Sequence, residues 1–525
     1  MSSATKKKNH SKSANNKKNK QLDKQTDKSD NEIKQADNEI RLQYNDIAFK
    51  AQQTILDKYI SINNSKFAGP IIAKYKAKRK TDSIIEVDND DNLIQFSGFF
   101  VLGWMFIFFV IANHFIQFYI KNKSEEQWFW ENSLIWSNMF DNLPYVAFIN
   151  LVMYLSMFLC YPVVKAVSTS TKFRWSNTGR NLIIIFELTF CLGWMYILYQ
   201  LFNQNWISRI YLFLHSLVLL MKIHTYCFYN GFLSERDHDL RVAEKKIKDE
   251  PNNENLKKII EYSRKELDNQ NGDVESLKFP NNVTLKNFFE FTTFPVLVYQ
   301  IVYPRTNKIK KSYVFEKVAA IFGIIFVMMN VAEIFMIPPA MDLIELSENP
   351  TEPYKFLKML LYLTQLIPSF ITMYVLVWYL IWDAILNCIA ELTYFADREF
   401  YADWWNSITW DDFSKYWNIP VHKFLLRHVF HALKNITDEK TKKPKLSTMG
   451  CILITFIISS IFHEMAMFML FKKFRYYIFL LQMGQLPLTF LHYKLFKNYP
   501  IIANVSFWFS ICVGSSFICS VYLAF

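Results

Sequence analysis

Glycine is scarce in this sequence, 11 residues in 525, and none of the 11 sits in a Walker loop or a G-x-S-x-G elbow. Nucleotide hydrolysis on a phosphate-cradling loop and serine-hydrolase chemistry on a strained turn therefore lack their parts. Cysteine supplies no C-x-x-C pair: Cys160, Cys191, Cys227, Cys388, Cys451, Cys512 and Cys519 all lie in or beside apolar segments. They read as small membrane-embedded hydrophobes and imply neither a disulfide framework nor a metal site. No cleavable leader and no internal repeat is read, and the missing repeat weighs against a transporter built from two related halves.

What is abundant is apolar and aromatic surface, 51% and 17% of residues. It gathers in blocks near 96–120, 144–168, 181–202, 206–232, 313–338, 356–384, 448–470, 474–496 and 500–524. A helix crosses a hydrocarbon core of ~30 Å with about 20 apolar residues. The expected fold is thus all-α, a polytopic membrane helical bundle with about nine transmembrane helices. The stretch 385–398 either continues the preceding span or re-enters the membrane.

Two regions are expected: a polar arm over 1–95, disordered to about residue 40, and a membrane domain over 96–525. Lys and Arg number 59 against 47 Asp and Glu, a net charge of +12. Much of the excess lies in the arm and the loops. With no aromatics interleaved to stack on bases, the arm suits a cytosolic segment beside an anionic leaflet, and no nucleic-acid partner is expected. A basic 169–180 loop and an acidic 339–355 loop agree with a cytosolic N-terminus, which makes 234–285 and 399–447 cytosolic. The basic "FKKFRYY" at 471–477 runs against that orientation unless its side chains snorkel or the hairpin is shallow. Four N-x-S/T sequons, at Asn63, Asn282, Asn435 and Asn504, read as chance matches.

Within the run "IISSIFHEMAMFML" (457–470) stand His463 and Glu464. Ionisable groups in spans cost about 2.5–3.5 kcal/mol each on insertion scales for Asp, Lys or Arg, which makes them functional candidates. A zinc-protease helix needs a second His four residues on, but Met467 is there, so the metal reading fails. Ser459 lies one turn earlier on the same face. An imidazole there suits a general base for an alcohol, or a structural hydrogen bond to a neighbouring span. Glu464 points about 100° away around the helix and reads as structural or orienting.

The segment 399–434 packs four Trp, three His and two Asn into 36 residues. Amphipathic interfacial helices with aromatic anchors explain Phe424, Leu425 and Phe430. They do not explain Asp403, Asn406, Asn418 and His422 among tryptophans, with Arg427 and His428 available to an anionic, phosphorylated ligand. A third polar group is His215, Lys222 and His224, the last two expected to snorkel to the cytosolic surface. The apolar stretch 294–306, bracketed by Pro295 and Pro304, is too short to cross and is expected to be buried or interfacial.

"FYADWWN" (400–406), "WNIPVH" (417–422) and His463 in an apolar helix together resemble the membrane-bound O-acyltransferase family, in the branch of sterol and diacylglycerol O-acyltransferases. "YPRT" (303–306) and "KFLLRHVF" (423–430) favour the sterol side in its fungal form. The resemblance covers roughly 95–525. It implies a helical bundle enclosing a catalytic chamber, with a cytosolic tunnel for fatty acyl-CoA and a lateral opening for the lipid alcohol. It assigns His463, Asn418 and Trp417 to the catalytic set, His463 as base and Asn418 as its partner. Lys415, Asn418, His422 and Ser459 are the implied acyl-CoA contacts. Phe400, Tyr401, Asp403, Trp404, Trp405 and Asn406 form the motif, with Asp403 and Asn406 expected to fix the loop by hydrogen bonds. Asp412 and Phe430 depart from the animal pattern of Asn and Tyr and drop out as contacts, and "HTY" (224–226) replaces the animal His-Ser-Phe.

The expected activity is acyl transfer from acyl-CoA, a co-substrate, to a sterol 3-hydroxyl, with no cofactor. Diacylglycerol acylation is the rival within the class and membrane transport the rival outside it. The resemblance further implies an endoplasmic reticulum membrane location and a homo-oligomer, dimer or tetramer.

Overall fold

The computed structural model of the chain describes residues 133–170, 173–201, 205–268, 278–436, 445–496 and 499–524, with isolated positions between 105 and 120. The 1–95 arm and most of the 96–120 block lie outside the described residues. All that is described belongs to one compact unit, Pro70–Phe525.

The described residues form helices and loops without a β-sheet. After a short helix at Leu134–Phe140, the main helices in chain order are α1 (Leu143–Thr169), α2 (Trp175–Gln200), α3 (Trp206–Lys246), α4 (Glu254–Asp268), α5 (Leu285–Thr293), α6 (Lys311–Glu348) and α7 (Lys355–Leu392). Two short helices follow, α8 (Trp410–Tyr416) and α9 (Ile419–Phe424), and then α10 (Thr448–Phe471), α11 (Tyr477–Phe496) and α12 (Pro500–Ala524). Seven of these, α1, α2, α3, α6, α7, α10 and α12, are long and apolar enough to cross a membrane. They match seven of the nine expected blocks. The 474–496 block does form a helix, but Gln482, Gln485, His492 and Lys494 leave it too polar to count with the seven. The 385–398 stretch continues α7 through a π-turn at Tyr379–Ile385, and the helix ends at Leu392.

Helix ends follow local chemistry. Asn205, Thr284, Thr409, Asn418 and Ser447 each cap a helix start through a side-chain oxygen, satisfying a backbone N–H with no intrahelical acceptor. Gly231 of α3 lies against the Trp175 ring, 2.2 Å from where a Cβ would stand, so only glycine allows this contact between α3 and the start of α2.

The spans are not free of charge, and this corrects the impression the sequence leaves. Lys222 does not snorkel: it is 5% exposed, and its ammonium donates to the carbonyls of Phe291, Thr292 and Phe294 at 3.1, 2.8 and 2.6 Å. It thereby caps the C-terminal end of α5, where a cation suits the helix dipole. His224 also stays inside, facing the Glu187 carboxylate at 3.2 Å and stacked on Phe228. His215 meets Asn150 at 2.6 Å. The 294–306 segment is buried as expected, without regular secondary structure, with Phe294, Leu297, Tyr299, Ile301 and Tyr303 in the core.

The sequon asparagines Asn282 and Asn504 are engaged. Asn282 is buried, donating to Asn230 and Tyr299, and Asn504 is a clamp described below. In 471–477, Lys472 and Lys473 are exposed while Arg475 turns inward to the Tyr522 carbonyl.

Candidate active site

α10 carries His463 and is fixed on the C-terminal side of it. Arg209 of α3 donates to the Met469 and Leu470 carbonyls at 2.6 and 3.5 Å, capping the end of α10 with a buried cation. Glu464, 4% exposed, accepts from the backbone N–H groups of Arg475, Tyr476 and Phe479 and from the Tyr522 hydroxyl. A carboxylate at a helix N-terminus is favourable. Glu464 therefore joins α10 to the start of α11 and to α12, the structural role its position around the helix suggested.

His463 itself is held differently. Its Nδ1 lies 2.8 Å from the Ser459 carbonyl, one turn back. A carbonyl only accepts, so Nδ1 carries the proton and Nε2 is left with its lone pair. The ring is exposed on the face of its helix. It is Ser459's backbone oxygen that touches the imidazole.

The two polar motifs come together through backbone pairing. Ile419 N donates to Phe400 O at 3.0 Å and Ala402 N to Tyr416 O at 2.9 Å, so 400–402 lies alongside 416–419. Asn418 begins α9: its Oδ1 accepts from Val421 N at 3.2 Å, and its Nδ2 has no partner among the described residues. The π-turn that follows α9, Leu425–Phe430, packs against α10. The segment of Asn418 and the helix of His463 thus belong to one packed assembly.

Trp417 stacks on Tyr374 at 4.8 Å and meets Trp382 and Trp404 at 4.9 and 5.2 Å. With Trp378, Trp405 and Trp508 these rings form one aromatic knot. Phe400, Tyr401 and Trp404 are buried. Asp403 and Asn406 are exposed, and their side chains have no hydrogen-bond partner among the described residues, so the expectation that they fix the loop is not met. Instead, α12 fixes it: Asn504 Nδ2 donates to Trp405 O and Ser407 O at 3.1 and 2.9 Å, and Trp508 Nε1 to Trp405 O at 3.0 Å.

Lys415 pairs with Asp411 on α8 and is partly exposed. His422, half-buried, is pushed below the ordinary imidazole range by burial and then by the nearby Lys415 ammonium. Asp412 accepts from the Thr409 hydroxyl at 2.7 Å, while its own N–H is capped by the Thr409 oxygen at 3.0 Å. His428 stacks on Phe424 and lies edge-on to His224 at 5.3 Å. Arg427 covers the Tyr229 ring at 5.2 Å.

Sequence reasoning missed Arg209, Lys317, Asp383, Asn504 and Trp508. The first three carried a usable signal, a charge within an apolar run. Asn504 and Trp508 carried none, since an Asn and a Trp in a span have many possible roles. Among the described residues no group of three or more His, Cys, Asp or Glu could hold a metal.

A model of the membrane-bound O-acyltransferase family matches residues 254–524. Sterol O-acyltransferase 2 of Saccharomyces cerevisiae is 41% identical to this chain, over 89% of the chain and 72% of the relative. Sterol O-acyltransferase 2 of Saccharomyces uvarum is 39% identical, over 92% and 80%. Diacylglycerol O-acyltransferase 1C of Glycine max is 32% identical, over 45% of this chain and 44% of the relative. An imidazole bonded only at Nδ1 within an apolar helix, a Trp–Asn segment that leads into the turn packed on that helix and these likenesses agree, and the chain belongs to the membrane-bound O-acyltransferase family.

Proposed function

We propose that this protein is an acyl-CoA:sterol O-acyltransferase, using His463 as general base within a chamber reached from both water and bilayer. The observation that carries the chemistry is the Nδ1–Ser459 carbonyl bond, which leaves Nε2 unprotonated on open ring surface. Nε2 takes the proton of the sterol 3-hydroxyl as that oxygen attacks the thioester carbonyl carbon. Asn418 Nδ2 donates to the developing oxyanion, Trp417 holding that segment by its stacking. The C–S bond then breaks, and the CoA thiolate takes the proton from the imidazolium, leaving sterol ester and free CoA. Alignment of both substrates in a closed space supplies much of the remaining rate, and no covalent acyl-enzyme is needed.

Lys415, His422 and Ser459 join Asn418 in the acyl-CoA site. The choice of a sterol acceptor rests on relatives named sterol O-acyltransferases that match most of the chain, against a diacylglycerol O-acyltransferase that matches 45% of it. The reading puts the enzyme in the endoplasmic reticulum membrane, N-terminus cytosolic, as a homo-oligomer.

The test supplies purified protein with labelled oleoyl-CoA and, separately, sterol or diacylglycerol. Labelled sterol ester is the expected product, and labelled triacylglycerol without sterol ester would overturn the assignment.

A further inference from the structure

Lys317 of α6 and Asp383 of α7 are 1% and 0% exposed and form an ion pair of 2.8 Å within the two helices. Replacing such a pair by apolar side chains is often neutral or stabilising, so stability alone is a weak reason for it to exist. The second carboxylate oxygen points to another purpose: Asp383 Oδ1 accepts from the Tyr401 hydroxyl at 3.0 Å. Tyr401 is the middle residue of 400–402, whose backbone pairs with Tyr416 and Ile419 on either side of Trp417 and Asn418. A fixed point in the helices is thus linked through one side chain to the short backbone pairing that brackets Asn418.

We propose that the Lys317–Asp383 ion pair is a positioning device for Asn418, acting through the Tyr401 hydroxyl and the pairing of 400–402 with 416–419. Lys317 holds the Asp383 carboxylate in one orientation, and Asp383 sets where Tyr401 sits. The paired 400–402 segment then sets where the Asn418 amide points, its Oδ1 being already committed to Val421 N. Asp383 touches no substrate and is a positioning residue. The inference rests on the reading of Asn418 as a group that acts on the reacting thioester.

The experiment uses full-length detergent-solubilised enzyme with kcat expressed per folded molecule and KM measured for oleoyl-CoA. Tyr401→Phe removes one hydroxyl and keeps the packing against Trp378. It is expected to lower kcat about tenfold, misplacement at a distance being able to cost up to about a hundredfold, with KM changed less than about twofold. A purely structural role would lower the thermal midpoint and leave kcat per folded molecule unchanged, which overturns the proposal.

Asp383→Asn alone leaves a buried ammonium unpaired and can fail to fold. Lys317→Gln with Asp383→Asn keeps an amide oxygen for Tyr401 without buried charge, and is expected to restore kcat to within about threefold of wild type. A tenfold or larger loss in that folded double variant also overturns the proposal. In the background of Asn418→Ala, Tyr401→Phe should add no further loss, because the two act through one group. Full additivity contradicts the linkage. If Asn418→Ala itself turns over at the wild-type rate, the reading of Asn418 falls first and by a separate measurement.

Discussion

The region around α3, α5 and the 294–306 segment and the region around α9 and α10 are built from similar residues and treat them in opposite ways. In the first, buried and half-buried polar side chains find partners: Lys222 on three carbonyls, Asn282 between Asn230 and Tyr299, His215 on Asn150. In the second, Asn418 Nδ2 has no partner among the described residues, and His463 is bonded at Nδ1 while its ring keeps exposed surface. The Tyr226 hydroxyl and Asn282 Oδ1 excepted, the first region ties its polar groups into the scaffold, whereas Asn418 Nδ2 and the exposed face of His463 stay open to a ligand.

The sharpest way to break that comparison is to remove one group from each side. Asn418→Ala should lower kcat per folded molecule about 10²–10³-fold, the cost of a lost oxyanion donor, with stability reduced only by the lost α9 cap, about 1 kcal/mol. Stopped turnover accompanied by unfolding would put Asn418 with the scaffold instead. Lys222→Met should do the reverse. Three carbonyls lose a charged donor, which destabilises the protein by about 2–3 kcal/mol, while kcat per folded molecule stays near wild type. Thermal unfolding followed alongside turnover separates the two outcomes.

A smaller effect concerns pH. Burial, with His224 and Arg427 adding, pushes His428 to about 3. Between that value and the unfolded value near 6.5 the folded state binds fewer protons than the unfolded one, so stability is fully present above pH 6.5 and declines as pH falls. His428→Gln should therefore shrink the drop in thermal midpoint between about pH 7.5 and about pH 5.5. Part of the drop should persist through His422, which is lowered as well. An unchanged drop would remove His428 from the account.

Much of this was legible in the sequence because the bilayer writes strong signals. A span needs length and apolarity, and the blocks containing α1, α2, α3, α6, α7, α10 and α12 show both. His463 stood out for the same reason, and Glu464 was rightly separated from it by helical geometry. What failed was the reading of Lys222 and His224 as snorkelling. Distance to the end of an apolar run says nothing of whether a neighbouring segment supplies carbonyls or a carboxylate. Asp403 and Asn406 failed similarly. Polar residues among tryptophans suggested a hydrogen-bonded loop, but the bonds come from Asn504 and Trp508, about 100 positions later. Such long-range partners have no local signature, and Asn504 looked like nothing more than a stray sequon.

The most direct test of the central claim is sterol ester formation by purified His463→Ala enzyme, compared with wild type at equal folded concentration. Loss of a general base predicts a fall of about 10²–10⁴-fold with an unaltered thermal midpoint and elution profile. Ester synthesis at the wild-type rate by a folded His463→Ala protein would contradict the assignment of His463 Nε2 as the group that deprotonates the sterol.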